Sequence, residues 1–246
     1  MGYMNSIAEI KRLIKDIEPH LGLNNTMLIN YNLIFNPCVT DSYLKELELA
    51  YDVKLPEEYR EYLINIGNGG NQPADGMFTV GQSLSILFGQ DCKENKIDYK
   101  DLTKYYFDVN RIGYDNLLDF YYGSFGKDLG KKSIETEPGL TTLDDYFSDD
   151  GLFRYQHLLS DNEAAFVEHE SAMKSHMLVF SFEDETRTQF AIALDGDHKD
   201  QVVYYSFQPS SFCLSDRNIV FTGMSFLEWM YHLYECYCDP FSIKIQ

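Results

Sequence analysis

The stretch from Glu46 to Gly70, ELELAYDVKLPEEYREYLINIGNGG, constrains the fold more than any other part of the chain. Leu55-Pro56 marks a junction between two helices. Proline at a first helical position gives up no needed donor and its fixed φ suits the helix, while Glu57 and Glu58 follow where the helix dipole favours negative charge. Tyr59, Tyr62, Leu63 and Ile66 then recur at i, i+3, i+4 and i+7, which predicts one buried stripe, with Arg60, Glu61 and Asn65 turned outward. Gly67, Asn68, Gly69 and Gly70 predict the stop. Positive φ at Gly69 or Gly70 would close the helix and reverse the chain.

The run Leu-Pro-acid-acid-Tyr-Arg, followed by a helix ending in Asn-Gly-Gly, resembles the signature of the SUKH superfamily. Members include yeast cell-wall synthesis regulators of the Smi/Knr type and many bacterial toxin-immunity proteins. The positions that carry the likeness are Leu55, Pro56, Tyr59, Leu63, Ile66, Gly69 and Gly70. Phe190 to Gly196, Val202 to Ser206 and Ser225 to Met230 are similar to that family's closing strand, hairpin partner and C-terminal helix. The resemblance implies an α+β fold, SUKH-like, with a mixed or antiparallel β-sheet packed against N-terminal and C-terminal helices. It further implies a single domain over residues 1–246, with a large central insertion at 81–170 that matches no known pattern.

Local patterning agrees with that class. Ser6 and Glu9 are spaced as a capping box for a helix from Ile7 to Pro19, which would bury Ile7, Ile10, Leu13, Ile14 and Ile17. Met77 to Val80 fits a short strand. His176 to Phe182 is nearly continuous apolar sequence and predicts a central strand buried on both faces, whereas Phe190, Ile192 and Leu194 alternate with alanines. Asp195 to Asp200 predicts a solvated acidic turn into a hairpin partner. The last helix should start at Ser225, be capped with Glu228, and bury Phe226, Met230, Leu233 and Tyr237.

Charge narrows the function. The chain has 39 acidic and 20 basic residues, a net charge of −19, so direct nucleic-acid binding is disfavoured. Its one dense basic cluster, Lys127, Lys131 and Lys132, is flanked by Asp128 and Glu135. A basic protein partner fits better, because acidic fields steer cations. Five scattered cysteines do not form a disulfide framework, which suits a reducing compartment. With no targeting segment and no membrane-length apolar run visible, the expected location is cytoplasmic.

Motif searches give no nucleophile elbow, phosphate loop, dinucleotide fingerprint or zinc helix. His232, Cys236 and Cys238 lie close together but lack the paired second cluster of a structural zinc site. Asp195, Asp197 and Asp200 miss the glycine and glutamate of a calcium loop. His157, His169 and His176 sit on unrelated segments and read as surface or cap residues. The expectation is therefore no catalytic residue, no metal and no cofactor.

The resulting reading is a non-enzymatic protein-binding module, which the resemblance sharpens into a cytosolic bacterial immunity protein that neutralises a secreted, basic, nuclease-type toxin. Tyr121, Tyr122, Tyr146 and Phe147, with Asp144, Asp145, Asp149 and Asp150, are the expected contact residues, because acidic neighbours suggest exposure of those aromatics. The alternatives are an enzyme with dispersed carboxylates in the insertion, or a cell-wall regulator or scaffold.

Overall fold

A computed structural model describes residues 6–18, 33–71, 76–88, 140–148, 172–183, 188–206 and 218–238. Among them, α1 (Ile7–Ile17) starts at the expected capping box: the Glu9 amide donates to the Ser6 hydroxyl at 3.3 Å and the Ser6 amide to the Glu9 carboxylate at 2.7 Å. Ile10, Leu13 and Ile17 are buried, and Ile7 and Ile14 pack against them. The two-residue strand β1 (Ile34–Phe35) leads to α2 (Asp41–Tyr51), capped by Thr40. Asp52 ends α2 in the left-handed region at φ 48°.

In α3 (Glu57–Asn65), Pro56 is the N-cap, one position earlier than the spacing suggested. Tyr59, Tyr62 and Leu63 are fully buried as expected, whereas Ile66 caps the helix and is only half-buried. Arg60 corrects the outward reading. It is 6% exposed, because its guanidinium reaches back to Glu48 and Asp41 on α2.

The glycine stop then stitches three segments together. Gly69 and Gly70 adopt φ 78° and 126°, and β2 (Gly70–Asn71) pairs antiparallel with β1. A Cβ on Gly67 would lie 2.9 Å from the Asn36 carbonyl oxygen, so glycine is required there by close approach. Asn68 accepts from the Val80 amide at 2.8 Å, at the start of α4 (Val80–Phe88). This helix begins on the last residue of the short strand expected over Met77 to Val80 and runs into the stretch read as a large central insertion. Met77 makes only a bridge to Gly70, and Thr79 and Gln82 form a reciprocal cap of 3.2 and 2.7 Å.

The sheet is a wholly antiparallel meander, β3 (Met177–Glu183), β4 (Thr188–Ala193), β5 (Gln201–Ser206) and β6 (Asn218–Ser225), in that spatial order. Strand β3 is buried on both faces but stands at the edge of this sheet, not at its centre. Its edge is engaged by the segment before α4: the Phe78 amide donates to the Phe180 carbonyl at 2.7 Å and the Ser181 hydroxyl to the Gly76 carbonyl.

Alternation sorts the strands' side chains into two cores. Leu178, Phe180, Phe190, Ile192 and Val202 meet α1, α2, α3, α4 and the last helix, α6 (Phe226–Cys238). Met177, Val179, Ala191, Ala193, Val203 and Tyr205 face a short helix, α5 (Leu143–Phe147). Phe226 is the hub of the first core, with Tyr59, Tyr62 and Phe180 edge-on at 5.2, 5.4 and 5.1 Å. On α6, Trp229, Met230 and Tyr234 are buried and Leu233 half-buried; the side chain of Tyr237 lies outside the described residues. Burial of Tyr62, with Tyr234 beside it at 2.9 Å between hydroxyls, holds its phenol well above the usual range.

Candidate functional site

Helix α5 is built by its own acids. The Asp145 carboxylate accepts from the amides of Thr141 and Thr142 at 2.9 and 2.8 Å and from both hydroxyls at 3.0 Å. These donors, the backbone amides first, draw its pKa from 3.8 down to about 2. Asp144 reaches across to the β4–β5 turn and accepts from the Asp197 amide at 2.6 Å. Gly196, at φ 75°, lets that carboxylate lie against the turn; a Cβ there would overlap the Asp144 oxygen. His198 stacks on Phe221 with ring centres 4.1 Å apart and places Nε2 3.8 Å from Asp144.

The turn returns the connection. Asp195 accepts from the Leu143 amide at 2.9 Å through one oxygen and from His176 Nδ1 through the other. His176 is 8% exposed and its ring packs 5.5 Å from Tyr146. This corrects the reading of His176 as a surface or cap residue without a carboxylate partner. The two residues are 19 positions apart and only the β3–β4–turn path brings them together, so no local spacing could have shown it.

A cleft of about 530 Å³ opens between this turn and the α2–α3 junction. Asp52, Glu57, Asp195 and Asp200 supply carboxylates, Lys54 and Lys199 supply amines, and Val53, Leu55, Pro56 and Leu194 supply apolar wall. The signature Leu55-Pro56 thus lines the opening. Beside it, Arg60 holds Glu48 at 2.6 Å and Asp41, and Glu48 also accepts from the Leu55 amide at 2.8 Å. The Asp41 carboxyl is held below its usual range, by hydrogen bonding to Lys45 first and to Arg60 next, against some desolvation.

The expected contact residues separate. Tyr146 is 0% exposed and belongs to the second core, which corrects its assignment as a surface anchor: α5 is amphipathic and turns Tyr146 with Leu143 onto the sheet. Phe147 is half-buried, edge-on to Phe221 at 6.0 Å. Asp144 and Asp145 are partly exposed but bound to backbone. Tyr121, Tyr122, Asp149 and Asp150 lie outside the described residues. Of the other acids, Asp195 is engaged, whereas Asp197 and Asp200 are exposed.

His232 Nδ1 faces Glu235 at 3.3 Å and Cys236 is exposed. Among the described residues no group of three or more His, Cys, Asp or Glu side chains is placed to hold a metal. None of the described helices is long and apolar enough to cross a membrane.

No curated protein and no solved structure matches the chain. A family model does, over residues 38–232, a span that takes in the α2–α3 signature, both cleft walls, the four-stranded sheet and the start of α6. The matched span is more than half of the chain, which therefore belongs to the SMI1 / KNR4 family (SUKH-1).

Proposed function

We propose that this chain is a non-enzymatic protein-binding module, an immunity protein that acts in the bacterial cytoplasm by capturing a secreted toxin of basic, nuclease type. The observation that carries the reading is the acidic cleft. Asp52, Glu57, Asp195 and Asp200 gather at one opening, with Asp197 exposed on the same turn, in a chain of net charge −19. A protein that cuts a phosphate backbone needs clustered cations, and those cations are what such an opening attracts. Family membership agrees with a role in binding other proteins, whether as an immunity protein or a cell-wall regulator.

Asp41 and Asp145 are both held below the usual carboxylate range by the donors that face them, which keeps them ionised as acceptors. The His176–Asp195 pair has the orientation of a base and its orienting carboxylate. Among the described residues, however, no hydroxyl or thiol is hydrogen-bonded to Nε2, so the pair has no nucleophile beside it there.

The test is co-expression with the toxin domain encoded beside this chain, scoring host survival. Survival together with a complex that persists through gel filtration supports the reading. Death at the rate seen without the protein, with no complex, refutes it.

A further inference from the structure

The four-stranded sheet ends in two edges that the fold treats differently. The β3 edge is closed by the segment before α4, through the Phe78 amide on the Phe180 carbonyl at 2.7 Å and the Ser181 hydroxyl on the Gly76 carbonyl. The β6 edge is open. Among the described residues no backbone hydrogen bond joins β6 to any segment except β5. Val220, 36% exposed, is with Leu49 one of the exposed large hydrophobic residues among those described, and a Cβ on Gly223 would meet no atom within 4 Å.

An open edge is a template for any other strand, and proteins blunt such edges with charge, proline or a bulge. β6, NIVFTGMS, has neither charge nor proline. Its one such device is the irregularity between the Val203–Phe221 and Gln201–Ser225 pairs, where Gly223 stands at φ 71°. Asn218–Phe221 is left in regular register with Val203–Ser206, uncharged and without a bulge.

Charge constrains what pairs there. A second copy of this chain would bring another net charge of −19, and two such fields repel. The β4–β5 turn beside the edge attracts the opposite sign: His198 of that turn stacks on Phe221 of β6, and Asp197 and Asp200 are exposed on it. Asp195 and Asp200 of the same turn line the cleft, so the open edge and the cleft adjoin one acidic turn.

We infer that β6 takes an extended segment of the bound basic protein as a fifth strand, paired through backbone hydrogen bonds along Asn218–Phe221, with the cations of that protein drawn to the β4–β5 turn. The identity of the occupant rests on the protein-binding reading.

The experiment records amide hydrogen exchange and intermolecular NOEs on the isotope-labelled full chain, free and bound to the unlabelled toxin domain encoded beside it. In the free chain alternate amides of Asn218–Phe221 should exchange fast, because every second residue of an edge strand points its N–H outward. In the complex those amides should slow by roughly tenfold or more, and β6 should show backbone NOEs to an extended toxin segment. Val220→Lys, which sets a cation where a basic strand must approach, should weaken the complex roughly tenfold, whereas Val220→Thr, which keeps β-branching, should stay within about twofold of the parent. The exchange readout on the parent depends on neither variant.

An intact complex in which the β6 amides stay fast would overturn this inference and leave the protein-binding reading standing. Slowed β6 amides without NOEs to an extended segment, or equal affinity for Val220→Lys, would overturn strand addition. Slow β6 exchange in the toxin-free chain, with sedimentation as a dimer, would make the occupant a second copy and overturn the basic one. No complex at all would remove the protein-binding reading and this inference with it.

Discussion

Replacing Arg60 should destabilise this protein far more than its position on an outward helical face would suggest. Its side chain is 8% exposed and its guanidinium forks between Glu48, whose side chain is 18% exposed, and Asp41, which is half exposed. Removing one partner of a fully buried pair costs about 3–5 kcal/mol, because the other charge is left without compensation. Here Asp41 can return to water and Glu48 retains the Leu55 amide, so the electrostatic loss falls below that range, while loss of the buried stem adds to it. Arg60→Ala should therefore cost about 2–4 kcal/mol, a large share of the ~5–15 kcal/mol typical of a domain. Arg60→Lys should lose about 1–2 kcal/mol, since one ammonium cannot reproduce a fork to two acids.

Urea unfolding of both variants, and of Glu48→Gln alone and combined with Arg60→Ala, measures the effect. The double-mutant cycle should give a coupling of about 1–3 kcal/mol. Half-molar salt should change it little, because the pair is shielded from solvent. A loss under about 0.5 kcal/mol for Arg60→Ala, erased by salt, would return Arg60 to the class of surface ion pairs and refute the reasoning.

Other substitutions probe the remaining elements. Leu63→Ala should cost about 2–5 kcal/mol by urea unfolding and Ile66→Ala clearly less, since Leu63 is fully buried and Ile66 is not; equal losses would contradict that difference. Gly67→Ala should destabilise by about 1–3 kcal/mol, because the new methyl meets the backbone of Asn36 rather than a flexible side chain, and a neutral result would show that β1 can retreat. Asp145 contributes a pH-dependent share of the stability. Its folded pKa, about 2, lies below the unfolded 3.8, so its stabilisation is present above 3.8 and is lost as pH falls toward about 2. Asp145→Asn should thus be less stable than the parent at neutral pH and indistinguishable from it near the lower limit; a gap that persists there would exclude this linkage.

What was legible in the sequence followed from local chemistry. Ser6 and Glu9, the Tyr59–Tyr62–Leu63 stripe, the positive φ of Gly69 and Gly70, and the β4–β5 turn are each set by residues within one or two turns of one another. What was missed depends on distant partners. The i+7 spacing that turned Arg60 outward takes no account of Glu48, 12 residues back, and the apolar run of β3 looks the same at an edge as at a centre. Tyr146 was judged by its acidic neighbours, yet Asp145 caps its own helix, Asp144 holds the β4–β5 turn, and the tyrosine is left to the core. Helix α4 did carry a local signal, Thr79 and Gln82 at capping-box spacing, which the strand-like Met77 to Val80 obscured. Half of the site, His176 with Asp195, needed the sheet register to bring it together.

The central claim, recognition of a basic protein through the acidic cleft, is tested most directly by association kinetics with that toxin domain at low and physiological salt. The parent is compared with Asp52→Asn/Asp197→Asn/Asp200→Asn. These three side chains are exposed, whereas Asp144 and Asp145 hold backbone and would confound charge with folding. The account predicts an association rate that falls by roughly an order of magnitude or more as salt screens the field, and a variant that starts slower and responds less to salt while keeping its stability. A complex that forms at the same rate in both proteins and at both salt concentrations would contradict it.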